Sequence, residues 1–112
     1  MLRVAFILAL VLALAFVPRA AVQAEEPLSD HAAREIICAP VYAWDCETAM
    51  AVAYAESRLY PAVVNPSSGC ACLFQIHPIH GYSVEALSDP VVCTRVAYKL
   101  FLESGWAPWG IR

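Results

Sequence analysis

The chain has 112 residues and is 61% hydrophobic, a figure inflated by its first twenty or so residues. Beyond them, five basic residues (Arg34, Arg58, Arg95, Lys99, Arg112) face all ten acids, a formal charge of −5. That balance argues against nucleic acid, whose affinity comes from neutralising phosphates, and no polybasic segment is present for anionic lipid.

At the N-terminus, Arg3 precedes unbroken apolar sequence from Val4 to Val17, and Val22-Gln23-Ala24 ends in a small residue before Glu25-Glu26. This reads as a secretory signal peptide over residues 1–24, too short to span a bilayer comfortably, with one domain over residues 25–112. Arg19 within the cleavage region keeps an uncleaved anchor open as the alternative. A secreted location follows, periplasmic or extracellular, with no membrane contact after cleavage. All five cysteines (Cys38, Cys46, Cys70, Cys72, Cys93) fall in the exported part, where a small chain uses them as disulfide staples. Cys38 and Cys46 flank a short Pro-containing connection and are expected to pair; Cys93 then takes Cys70 or Cys72, leaving one thiol over.

The remaining elements are mostly helical. Ser29 or Asp30 caps a first helix running to about Ala39, ended by Pro40. Asp45 caps a second, in which Ala49, Val52, Ala53 and Glu56 recur at i, i+3, i+4 and i+7. That spacing sets Glu56 on the buried stripe at the helix's C-terminal end, where burial and the helix dipole both disfavour the ionised carboxylate. Pro61 is the expected stop. Val63-Val64 and Leu73-Phe74-Gln75-Ile76 are predicted as two short strands around the turn Asn65-Pro66-Ser67-Ser68-Gly69. A turn of helix follows Ser83 to Leu87. The last helix has Asp89 as cap, Pro90 at its first position, an apolar stripe of Cys93, Val96, Ala97, Leu100 and Phe101, and Gly105 as stop. The pair His77 and His80 looks metal-like, but Pro78 between them works against helical ligand geometry, so neither metal nor cofactor is expected. Trp44, Trp106 and Trp109 are expected mostly in core packing, with sugar stacking as the alternative use.

A carboxylate closing an apolar helix, then a turn, then an amide among apolar groups is the layout of a site that protonates a glycosidic bond. The helix ending in Glu56-Ser57, the Asn65 to Gly69 turn, Leu73-Phe74-Gln75-Ile76, Ala97-Tyr98 and Gly105-Trp106-Ala107-Pro108-Trp109 together resemble the lysozyme-like superfamily. More narrowly, they resemble the soluble lytic transglycosylase (SLT) domain and its small secreted bacterial members, over essentially all of residues 25–112. The resemblance implies a mainly α, lysozyme-like fold with a short β hairpin, disulfide-stapled, acting as a monomer on peptidoglycan glycan strands. The implied reaction is cleavage of the β-1,4 bond between N-acetylmuramic acid and N-acetylglucosamine.

Residue by residue, the resemblance makes Glu56 the general acid and then base. Gln75 would bind sugar or position that glutamate, and Tyr98 would hydrogen-bond near it. Ser57 and Ser68 are further candidates for sugar contacts. Two positions depart from the family pattern: Cys72 stands where it has glycine, and Lys99 where many members have asparagine. Ordinary glycosidases use two carboxylates about 5 to 9.5 Å apart. The other acids here (Glu25, Glu26, Asp30, Glu35, Asp45, Glu47, Glu85, Asp89, Glu103) sit mostly at helix starts or on solvated faces, so a single-carboxylate route giving a 1,6-anhydro sugar fits better. A hydrolase on the same scaffold and a non-catalytic cell-wall-binding module are the two alternatives.

Overall fold

The computed structural model describes residues 26–111, so the proposed signal peptide lies outside the described residues. Helix α1 (Asp30–Ile37) starts where the Ser29 hydroxyl accepts a hydrogen bond from the Ala32 N–H at 3.0 Å, and buries Ala33 and Ile37. Its last turn is closed from outside the helix, because the Trp44 indole N–H donates to the Ile37 carbonyl at 2.9 Å. Helix α2 (Cys46–Ser57) is capped by Asp45, whose Oδ2 accepts from both the backbone N–H (2.9 Å) and the hydroxyl (2.8 Å) of Thr48. Arg34 bonds Asp30 within α1 and Glu47 at the start of α2, joining the two helices at the surface.

Helix α2 ends before Pro61. Its stop is a pair of left-handed residues, Arg58 (φ 53°) and Leu59 (φ 66°), with the Arg58 N–H returning to the Tyr54 carbonyl. The predicted strands do not form as a ladder among the described residues: two isolated antiparallel bridges, Val64 with Ala71 and Ala71 with Ile76, take their place. Leu73-Phe74-Gln75 is a tight turn between Ala71 and Ile76. The reason lies in the backbone: Cys72 (φ 71°) and Gln75 (φ 51°) are left-handed, which interrupts an extended strand, and the turn so formed buries Leu73, Phe74 and Ile76 together.

A short 3₁₀ turn (Pro78–His80) leads to α3 (Val84–Leu87), capped by Ser83, and to α4 (Pro90–Ser104), capped by Asp89 and stopped at Gly105. A second 3₁₀ turn (Ala107–Trp109) follows. Gly69 has φ 78°, and a β-carbon there would lie 2.9 Å from Pro78 Cγ, so only glycine lets the Asn65 turn pack on the first 3₁₀ turn.

Helix α1 packs on α2 and α4, and α3 on α4. Between them lies the core of Ile37, Val52, Ala53, Leu73, Phe74, Ile76, Leu87, Val96 and Ala97. Trp44 is its hub, stacked on Trp106 (5.3 Å between centroids, 20° between planes) and in contact with Tyr42, Phe74, Tyr98 and Phe101. The three tryptophans thus serve packing first. Two disulfides staple the domain: Cys38–Cys46, as expected, and Cys72–Cys93, which leaves Cys70 as the free thiol. No helix among the described residues is long and apolar enough to cross a membrane. The protein is therefore a small, mainly helical, disulfide-stapled domain.

Candidate functional site

Glu56 occupies the last turn of α2, one residue outside the buried stripe. Ala49, Met50, Val52 and Ala53 are buried, and the inward position of the final turn is Ser57. Glu56 is exposed, which corrects the expectation of a buried side chain. Its carboxyl is nevertheless pushed up from the usual carboxylate range, and burial by the surrounding protein is the cause. No neighbouring charge of either sign contributes to that shift, and no hydrogen bond or ion pair reaches the carboxylate from the described residues. Arg58, the nearest base along the chain, is turned onto Tyr54: its guanidinium carbon lies 5.0 Å from the ring centroid and Nη1 donates to the Tyr54 hydroxyl at 3.2 Å. Glu56 is thus an unpaired acid poised to hold its proton longer than a free carboxylate would.

Ser57 is placed differently from the expectation of a sugar contact. It is 5% exposed; its hydroxyl donates to the Ala53 carbonyl (2.9 Å) and accepts from the Leu59 N–H (3.1 Å). Both bonds serve the left-handed turn that ends α2, so Ser57 holds up Glu56 from behind.

Gln75 sits in the tight turn with φ 51°. Its side-chain Nε2 donates to two backbone carbonyls, Val63 at 3.2 Å and Cys72 at 3.1 Å, while its backbone N–H also donates to Cys72 O at 3.1 Å. This leaves Oε1 as the free end of the amide, an acceptor for a hydroxyl or an amide N–H. Val63 follows Glu56 by seven residues, so the Gln75 amide ties its own turn to the segment that leaves α2. Among the described residues, four non-glycine residues have positive φ: Arg58, Leu59, Cys72 and Gln75. They fall in two pairs, directly behind Glu56 and around Gln75. Each costs about 1–2 kcal/mol against ordinary backbone, and such strain gathers where a structure must aim a side chain.

Ser68 is exposed, and its hydroxyl accepts from the Cys70 N–H at 3.1 Å, bracing the turn while keeping its own proton to donate. Tyr98 is half-buried against Tyr42, Trp44 and Phe101. Its hydroxyl accepts from the Ala43 N–H at 3.1 Å, and no hydrogen bond joins it to Glu56 among the described residues. The expected partnership is replaced by a brace between α4 and the loop entering α2.

A cavity of about 160 Å³ opens beside Gln75, lined by Cys70, Ile76, His77, His80, Leu100, Pro108 and Trp109. Glu56 is not part of its lining. This grouping has no linear signature, because it joins the first 3₁₀ turn, α4 and the second 3₁₀ turn, which are adjacent only in space. Its walls are fixed by local bonds: the Trp109 indole N–H donates to the Phe74 carbonyl at 2.8 Å, and His77 Nδ1 accepts from the Ile79 N–H at 3.1 Å. Its lining combines the Trp109 ring and aliphatic walls with the Gln75 amide, the Cys70 thiol and two imidazoles. The carbonyls of Val63 and Cys72 were likewise invisible as site groups, since backbone acceptors carry no side-chain signature. No family model, curated protein or solved structure matches the chain.

Proposed function

We propose that this protein is a peptidoglycan lytic enzyme of lysozyme-like fold, exported to an oxidising compartment, in which Glu56 is the single catalytic carboxylate of a transglycosylase. The observation that carries this reading is the state of Glu56: exposed to a ligand, unpaired, and with its proton affinity raised by burial alone. A general acid working near neutral pH needs that combination, since a carboxyl of ordinary affinity would already have lost the proton it must give to the glycosidic oxygen. The two disulfides support export.

No second carboxylate is coupled to Glu56 among the described residues, which fits a one-carboxylate route. In the proposed sequence Glu56 protonates the departing oxygen while the substrate's own N-acetyl group stabilises the positive charge developing at C1. The resulting carboxylate then takes the proton of the muramic acid 6-hydroxyl as that oxygen closes on C1. The product is a 1,6-anhydro sugar, and the proton count of Glu56 is restored. Gln75 Oε1 would accept from a sugar hydroxyl or N-acetyl N–H, and the ring of Trp109 beside it would receive a sugar face.

The test is mass spectrometry of the soluble products when purified peptidoglycan is incubated with the exported protein and, in parallel, its Glu56→Gln variant. Anhydro-muropeptides from the parent alone are expected. Reducing-end products from the parent alone would replace transglycosylase by hydrolase, and no product from a folded parent would end the enzyme reading.

A further inference from the structure

The turn that carries Gln75 hangs from one residue. The Cys72 N–H donates to Val63 O at 2.9 Å, and the Cys72 carbonyl accepts both N–H groups of Gln75, from backbone and from side chain, at 3.1 Å each. The remaining bond of the Gln75 amide goes to Val63 O, the same oxygen that Cys72 holds. Both observed restraints on the Gln75 side chain therefore pass through the Cys72 peptide or through the acceptor it shares. That peptide is left-handed, with φ 71°, a conformation native to glycine and disfavoured by any β-carbon. Cys72 is nonetheless 1% exposed and bonded to Cys93 in the first turn of α4, a residue that is itself fully buried and accepts the Phe74 N–H on its sulfur at 3.4 Å.

We propose that the Cys72–Cys93 disulfide is a positioning device for Gln75, cross-linking its turn to α4 so that a residue with a β-carbon stays in glycine's backbone geometry and keeps its carbonyl under the Gln75 amide. The consequence for catalysis rests on the functional reading above; the clamp itself does not. Helix α4 is the longest element described and a rigid mount, whereas the turn's other ties are two isolated bridges, the Trp109 indole bond to the Phe74 carbonyl and the burial of Leu73 and Phe74, none of which fixes the Cys72 backbone angle. A β-carbon without the cross-link would favour ordinary backbone at Cys72, rotating its carbonyl away and releasing the amide.

The experiment compares Cys72→Gly/Cys93→Ala with Cys72→Ala/Cys93→Ala, both in a Cys70→Ser background so that no other thiol can pair. The two differ by one β-carbon at position 72 and share the same change in α4. The readouts are hydrogen exchange of the Gln75 backbone and side-chain amide protons by NMR, and product yield from peptidoglycan, at a temperature where circular dichroism shows both variants folded. Relative to the Cys70→Ser single variant, the glycine form is expected to keep its protection and yield, while the alanine form loses about tenfold in both. Equal protection in the two variants would overturn the proposal, as would a glycine variant that does not fold, since the cross-link would then be a general support. Protection that follows the prediction while even the parent releases no product would sustain the clamp and remove only the glycan reading.

Discussion

Replacing Ser57 by alanine separates a structural from a substrate-binding role at the residue next to the proposed acid. The Ser57 hydroxyl makes two bonds. Losing the first costs little, because the Ala53 carbonyl lies inside α2. Losing the second orphans the Leu59 N–H, which is buried in a left-handed residue and has Ser57 Oγ as its partner. An orphaned buried donor costs about 1–3 kcal/mol. Taking about 2 kcal/mol, the melting temperature should fall by roughly 8–16 °C for a domain of this size. Thermal melts followed by circular dichroism give the first number; product release from peptidoglycan, measured below both transitions and normalised to folded protein, gives the second. The second should stay within about threefold of the parent. An unchanged melting temperature together with a large loss of product would refute the reasoning and return Ser57 to the sugar-binding surface.

Glu56→Gln should change the pH dependence of stability. A carboxyl whose affinity for protons is higher folded than unfolded makes the native state lose stability as pH rises from the ordinary carboxylate range through the raised value. The glutamine variant should therefore gain on the parent between pH 3 and pH 7 in urea denaturation, by a small amount because the side chain is exposed; a relative loss over that range would contradict the assignment. Phe74→Ala should cost about 3–5 kcal/mol, since the ring is fully buried against Trp44 and Trp109, and a change below about 1 kcal/mol would remove Phe74 from the core. Iodoacetamide without reductant should add one label per chain, mapped to Cys70; a label on Cys72 or Cys93 would show a different pairing from the one described.

The helices were legible in the sequence because their signals are local: Ser29, Asp45, Ser83 and Asp89 each reach only two or three residues to cap. Cys38–Cys46 was legible for the same reason. The Gln75 turn was not. Its shape depends on Cys72 and Gln75 adopting positive φ, which no side chain there advertises and which a strand-like run of apolar residues conceals. Choosing Cys72 over Cys70 for Cys93 required knowing which of two residues faces α4. The stop of α2 was read from Pro61, whereas Arg58 and Leu59 act first through a backbone conformation supported by Ser57. Glu56 was placed on the right helix and turn but one position too deep, because an i+7 count from Ala49 does not say where the stripe runs out.

The Trp44–Trp106 stack gives the protein an optical signature of its own. Two indoles 5.3 Å apart and nearly parallel couple their excited states, and Tyr42 and Tyr98 lie close enough to feed them energy. Trp44 leads into α2, while Trp106 follows α4. Light absorbed by this pair therefore reports the docking of the segment that enters α2 on the segment that leaves α4, with no added chromophore.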